Sequence, residues 1–406
     1  MKIRTTVVLA IALTTTATAC KKKKTEGTQE PQGTTPKTTE PGPGSNPTPE
    51  PPKPTPKTGQ ELAAAYTACV NQINDAKFDD FRKNCIADSY TAHQMDGDDI
   101  SGGDKMVEYF KNMRVGFPDL KLSPQLVMVN GRNILAVELM TGTNSADSKT
   151  PDGKDMKATN KKVGALMLHK LAINDENKAT EEWVYMDQRT ILGQLGVLPK
   201  EAGKTRPALE KGWDGAPIVL VTADDAKEKA NLEAVKKAND AINAHKVADV
   251  SALVTDDVIE SDQAGDADHK GKKEMEKSTQ GFLAAFPDVK IDAPNVYAAG
   301  DYVIVLGTMT GTNKGPMGPI KATNKQVTGN YAEVVKLKDG KIAELWRFRN
   351  SMAMAKQLGL MPDAAKPGDA TKTDATKTDA TKTDAKDVKK DADKKTPDAT
   401  KKDATK

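Results

Sequence analysis

Between residues 58 and 362 the apolar positions fall into two rhythms, and the same succession of rhythms occurs twice. Leu62, Tyr66, Cys69 and Ile73 recur at the three- and four-residue spacing that gathers side chains on one face of a helix, as do Leu232, Val235, Ala238 and Ile242. Thr58-x-x-Glu61 and Thr222-x-x-Asp225 stand ahead of these segments and read as capping boxes, in which side chains satisfy the free N–H groups of a first turn. A second helix is predicted over 105–115 and again over 274–284. Phe117-Pro118-Asp119 and Phe286-Pro287-Asp288 end it, because proline disfavours the helical conformation in the residue before it. Strands follow over 121–129, 133–143, 162–173 and 179–188, with counterparts in the second half, and Lys338-Asp339-Gly340 reads as a hairpin turn. Helices first and an antiparallel sheet after them predict an α+β fold.

The two halves are copies. A shift of 169 residues lays 102–119 on 271–288 without a gap and makes Met-Thr-Gly-Thr-Asn at 140–144 identical to 309–313. A five-residue deletion then brings Lys-Ala-Thr-Asn-Lys at 157–161 onto 321–325. One more deletion matches Trp183 with Trp346, Gln194-Leu195-Gly196 with Gln357-Leu358-Gly359, and Pro199 with Pro362. Copies of about 140 residues are too long for a solenoid repeat and suit tandem globular domains, here 58–200 and 222–362 joined by a linker over 201–221. Trp213 and the apolar run 218–221 are expected along an interface between two domains packed as an intramolecular pseudo-twofold pair.

The ends have another composition. Residues 1–19 read as a secretory signal: Lys2 and Arg4, an apolar run over 7–13, then Ala17-Thr18-Ala19 before Cys20. Small residues before a cysteine resemble the bacterial lipobox, which implies acylation of Cys20 and a membrane lipoprotein, at the outer membrane or cell surface rather than the inner membrane. Ala17 stands where that motif usually has leucine. Residues 20–57 form a proline-rich tether with no aromatic residue, and 363–406 repeat Asp-Ala-Thr-Lys-Thr. Neither has the apolar content to bury a core, and both are expected to be disordered. All 17 aromatic residues lie between 58 and 362, where 39 basic side chains face 43 acidic ones. A body of that sign does not attract phosphate backbones, which argues against a nucleic-acid partner.

Chemistry-bearing motifs are sparse. His93, His169, His245 and His269 have no metal-ligand spacing with each other or with cysteine, and no phosphate-binding or serine-hydrolase signature occurs, so no metal and no cofactor is expected. Cys69 and Cys85, 16 apart, are candidates for a disulfide in an oxidising compartment, with two buried free thiols as the other reading. Glu138 interrupts an apolar strand and gives way to Gly307 in the second copy; acids in such a position mostly point to solvent. In the last strand side chains alternate between faces, so Trp183, Tyr185 and Asp187 share one face, as do Trp346, Phe348 and Asn350.

The succession of Phe-Pro-Asp opening a strand, Thr-Gly-Thr two strands later, Thr-Asn-Lys-x-Val, a tryptophan-bearing final strand and Gln-Leu-Gly beyond it resembles the SnoaL-like polyketide cyclase family. That family lies within the nuclear-transport-factor-two-like superfamily. The resemblance covers both copies and implies cone-shaped α+β barrels, each a curved sheet closed by helices around an apolar pocket. It also implies a small hydrophobic ligand and one pocket carboxylate acting as acid/base in cyclisation or isomerisation. Asp187 occupies the family's acid/base position, with capping of the following helix as its other reading. His93 stands where relatives carry a pocket histidine. Trp183, Tyr185, Trp346, Phe348 and Asn350 are then expected in the ligand pockets. Asn350 and Ser261 replace Asp187 and His93 in the second copy, so chemistry is expected in the first copy alone. A ligand-binding module and a purely structural surface lipoprotein are the alternatives to an enzyme.

Overall fold

The computed structural model describes residues 55–95, 98–149, 155–198, 203–318 and 320–360. The signal-like start, Cys20, the tether before Thr55 and the C-terminal repeats lie outside the described residues. The first copy runs α1 (Gly59–Asn74), α2 (Phe78–Asn84), β1 (Ile86–Gln94), β2 (Ile100–Ser101), α3 (Gly103–Gly116), β3 (Lys121–Asn130), β4 (Asn133–Thr143), β5 (Ser148–Lys149), β6 (Asp155–Met156), β7 (Lys162–Ile173), β8 (Ala179–Tyr185) and α4 (Gln188–Leu195). After the linker strand β9 (Ile218–Val221), the second copy runs α5 (Ala226–Asn243), α6 (Val247–Ala252), β10 (Val254–Asp262), β11 (His269–Lys270), α7 (Lys272–Ala285), β12 (Lys290–Ala299), β13 (Tyr302–Thr312), β14 (Gln326–Lys338), β15 (Lys341–Arg349) and α8 (Ser351–Gln357).

The capping expectation is corrected at both helices. Thr58 precedes α1 without a side-chain cap bond. At α5 the box begins three residues later than expected: Asp225 accepts from the Glu228 N–H at 2.8 Å, and Glu228 reaches back to the N–H groups of Ala223 and Asp224. Thr222 instead ties the linker to the sheet, donating to the Ala298 carbonyl at 2.8 Å.

The first sheet has the order β2-β1-β8-β7-β4-β3-β9 and the second β11-β10-β15-β14-β13-β12. Both are open and mostly antiparallel, with β1 parallel to β8 and β10 parallel to β15. Register breaks in β1, between Ile86 and Thr91, and in β3, between Pro124 and Leu126, bend these strands over the helices.

The repeated motifs hold corners of this fold. Asp119 accepts from the Thr143 N–H and hydroxyl at 2.6 and 2.8 Å, and Asp288 does the same with Thr312, so Phe-Pro-Asp and Thr-Gly-Thr are two halves of one clamp. Buried Asn144 and Asn313 each accept from the threonine of Thr-Asn-Lys at 2.8 Å. Gln194 brackets Gly164 and Gln357 brackets Thr328, each through both ends of its amide.

Alternation along the strands produces two separate apolar layers in each copy. In β4, Ile134 and Ala136 face inward onto α1 and α3, while Leu135, Val137 and Leu139 face the other way. The outward layer meets Tyr302, Ile304, Leu306, Val334 and Phe348 of the second copy in one continuous core. The two domains therefore form an intramolecular pair. Trp213, Ile218 and Leu220 of the linker pack in that seam, and β9 pairs in parallel with β3. The seam is isologous in kind: Thr190 donates to the Gln263 carbonyl, and Asn350 donates to that of Met95, the counterpart of Gln263.

Candidate functional site

A cavity of about 460 Å³ lies inside the first copy, enclosed by α1, α3 and the inner face of the sheet. That volume is in the range of small-molecule sites. Its wall is apolar over Leu62, Val70, Met106, Phe110, Ile134 and Leu171. Among them stand five polar side chains, each at most 9% exposed: Tyr66 from α1, Tyr90 from β1, Glu138 from β4, His169 from β7 and Glu182 from β8. Period-two alternation explains the convergence. Glu138 lies on the face of Ile134 and Ala136, His169 on that of Met167 and Leu171, and adjacent strands bring the three together.

The five form two hydrogen-bonded groups that face each other. The Tyr66 hydroxyl donates to Glu138 Oε1 at 2.7 Å. Tyr90 donates to Glu182 Oε2, and Glu182 Oε1 pairs with His169 Nδ1. On the other side of the ring, His169 Nε2 stands 3.8 Å from Glu138 Oε2, beyond hydrogen-bond reach. That nitrogen is buried and has no hydrogen-bond partner among the described residues.

Electrostatics separate the two carboxylates. Burial pushes the Glu138 carboxyl above its ordinary value, and the His169 charge and the Tyr66 hydroxyl offset this only in part. Burial acts on Glu182 in the same sense, but the His169 imidazole and the Tyr90 hydroxyl outweigh it, and this carboxyl lies below its ordinary range. For His169 burial disfavours the charged ring; Glu182 and then Glu138 overcome it, and the imidazole is raised. The arrangement is a histidine–carboxylate pair in which each partner favours the charged form of the other, beside a second carboxyl whose basicity burial raises. Burial first, and the neighbouring carboxylates second, push both tyrosine hydroxyls far up, so each stays a donor.

The residues singled out from the last strand lie elsewhere. Trp183, Tyr185, Trp346 and Phe348 all belong to the core of the seam, on the face opposite the cavities. The outer face of each sheet is itself covered by the sister copy, so aromatic residues at alternate positions do not mark the pocket side. Trp346 packs on Trp213, with ring centroids 4.4 Å apart. Asp187 is buried at the end of this strand, where Oδ2 caps α4 through the Thr190 N–H at 3.1 Å and its hydroxyl at 2.8 Å. Its capping reading is the one observed, and Asp187 does not line the cavity. His93 pairs with Asp99 at 2.9 Å and stacks on Trp183, also outside the cavity. Asn350 caps α8 and reaches the edge of a second cavity, in the second copy. Cys69 and Cys85 form a disulfide, with Cα atoms 5.8 Å apart, in the wall of the first cavity.

Glu138, noted in the sequence as an interruption, is the central polar residue of the cavity; His169 and Glu182 went unmarked. His169 carried the same signal, a titratable residue at an inward position of an otherwise apolar strand, whereas Glu182 stands beside Thr180 and Glu181 in a polar start of β8 and carried none. Among the described residues no group of three or more His, Cys, Asp or Glu is arranged to hold a metal ion.

The SnoaL-like polyketide cyclase family matches residues 60–195 and 232–358. No curated protein matches the chain. Among solved structures, AclR from Streptomyces galilaeus, assigned as a hydroxylase, is 22% identical, covers 33% of this chain and 99% of its own, and superposes with a TM-score of 0.31. A protein assigned as a SnoaL-like polyketide cyclase from Jannaschia sp. CCS1 is 19% identical over 35% of this chain and 99% of its own, with a TM-score of 0.33. IdmH from Streptomyces antibioticus, assigned as a polyketide cyclase, is 20% identical over 32% of this chain and 98% of its own, with a TM-score of 0.29. With one match in each copy, the chain belongs to the SnoaL-like polyketide cyclase family, carried here as a tandem pair.

Proposed function

We propose that the first copy binds a small, mainly apolar carbonyl compound and moves a proton on it, in a reaction of the isomerase or cyclase type. The observation that carries this reading is the unsatisfied His169 Nε2 facing Glu138 across 3.8 Å inside a cavity. A carbonyl oxygen entering there accepts a hydrogen bond from the imidazolium, which Glu182 holds in its charged form. Glu138 then takes a proton from the adjacent carbon. The C–H electron pair becomes the C=C bond of an enolate as the carbonyl π pair moves onto oxygen. Glu138 then returns the proton to a different carbon, or the enolate carbon attacks a second carbonyl of the same molecule, whose oxygen takes the proton from Glu138. A carboxyl raised by burial suits this role, because its basicity is brought nearer to the working pH. Tyr66, donating to Glu138, fixes the carboxyl orientation.

The test needs no knowledge of the product. The full chain is incubated in D₂O with a panel of alkyl and aryl ketones, and α-deuterium incorporation is followed by mass spectrometry. Catalysed exchange of at least one ketone, reduced about 10²–10⁴-fold by Glu138→Gln, is the expected result. If no ketone exchanges but some bind, the binding-module reading replaces the enzyme.

In the same reading the protein works outside the cytoplasm, anchored by lipid on Cys20 and carried on its proline-rich tether. The charged, then apolar, then small-residue order of 1–19 supports export, and the Cys69–Cys85 disulfide fits an oxidising compartment. Cys20→Ala is expected to release the protein from the membrane fraction; continued membrane association would remove the anchor.

A further inference from the structure

The second copy encloses a cavity of about 440 Å³ in the corresponding place, but its chemistry is different. The positions of Tyr66, Tyr90, Glu138 and Glu182 carry Val235, Val258, Gly307 and Leu345, and that of His169 carries Glu333. Three carboxylates of the wall are tied up. Arg347 donates to Glu333 and to Glu260 at 2.7 Å each, and Arg349 pairs with Asp262. Burial would raise the Glu260 carboxyl, but Arg347 and His269 overcome this and hold it below its ordinary range. His269 also lines this cavity and pairs with Glu260 at 2.9 Å, but its side chain is about half exposed, where that of His169 is buried.

One group is left over. Tyr331 lies on the inward face of β14, is 7% exposed and lines the cavity, and its hydroxyl has no hydrogen-bond partner among the described residues. Its room comes from Gly307: a Cβ there would meet the Tyr331 ring at 2.9 Å and its oxygen at 3.0 Å. The hydroxyl thus stands against the strand position from which Glu138 projects in the first copy. A buried hydroxyl without a partner costs stability, and a ligand acceptor would relieve that cost.

We infer that the second copy is a separate binding site, which holds a neutral apolar molecule through one hydrogen-bond acceptor received by Tyr331 and carries out no proton transfer. Neutrality follows from the wall: Glu260, Asp262, Asp266 and Glu333 outnumber Arg347, Arg349 and His269, so an anion is disfavoured. The apolar portion is met by Met275, Met309, Met317 and Met354, flexible side chains that mould to irregular shapes.

Those methionines also provide the readout, because Met106 is the methionine of the first cavity wall. The full chain, labelled with ¹³C at methionine methyls, is titrated with an aryl alkyl ketone, the hydrocarbon of the same shape and the matching aryl carboxylate. The ketone is expected to shift Met275 and Met309 and the carboxylate to leave them unmoved. Tyr331→Phe is expected to weaken the ketone about tenfold, to leave the hydrocarbon unchanged and to raise the urea midpoint of the unliganded chain. Shifts at Met106 alone, equal ketone affinity in Tyr331→Phe, or a carboxylate bound as tightly as the ketone would each overturn the inference. None of these outcomes depends on deuterium exchange in the first copy.

Discussion

The Asp187 carboxylate of the first copy accepts a hydrogen bond from the Ser351 N–H of the second copy at 3.1 Å, and a further one from the Ser351 hydroxyl. One oxygen caps its own helix while the other begins the equivalent helix of the sister domain, so the carboxylate joins α4 to α8 across the seam. Asp187→Ala is expected to lower stability by about 3 kcal/mol, since it leaves buried donors of both helices unmet. Urea unfolding measures this. Ketone-induced shifts at Met106 should persist in the folded variant, and their loss would return Asp187 to the site.

The His169–Glu182 pair gives stability a defined pH dependence. His169 is raised in the folded chain, so its contribution is present below its ordinary pKa and is lost as pH rises through the folded value. Glu182 is lowered, so its contribution is present above the ordinary carboxyl range and is lost as pH falls through the folded value. The urea midpoint should therefore decline on the alkaline side of about pH 6.5 as well as on the acid side. His169→Gln should flatten the alkaline decline while lowering the plateau, because buried Glu182 keeps the Tyr90 hydroxyl but loses the imidazole. An unchanged alkaline slope would place the titrating group elsewhere.

Much of this was legible in advance. The repeat and the α+β order follow from patterns that the chain states twice, and the place of Trp213 in the seam from the apolar residues of the linker between them. The site was less legible, for a physical reason. A strand of an isolated domain shows which face is buried, because its other face is polar. Here Val137 and Leu139 are as buried as Ala136, so alternation between apolar and polar residues is lost and the face of Asp187 could not be told from that of Glu182. Glu138 and His169 were visible only as polar residues out of place. The repeated motifs drew notice because they recur, and they recur because both domains need the same clamps.

The linker has a tight passage over the first sheet. Leu209 donates its N–H to the Gly164 carbonyl at 3.0 Å, and a Cβ on Gly164 would lie 2.0 Å from the Leu209 oxygen. Gly164→Ala is expected to lift the linker from β7 at a cost of about 1–3 kcal/mol. Faster proteolysis between residues 203 and 217 would show it; unchanged cleavage and an unchanged urea midpoint would mean the linker shifts without cost.

The Cys69–Cys85 bridge fastens α1, which carries Tyr66, to the residue preceding β1, which carries Tyr90. Replacing both with serine opens a 16-residue loop and is expected to cost about 3 kcal/mol. It should also weaken ketone binding at Met106 more than at Met275. Equal weakening at both would mean a loss of stability alone.

Because cavity and seam are read from alternate residues of the same strands, the chain writes two messages in interleaved letters. Position 138 can pass from glutamate to the glycine of the other half without disturbing 137 or 139, which hold the halves together. A duplicated chain built this way can diversify what each half recognises while its assembly stays constant, and an engineer could recode one chamber by editing every second residue.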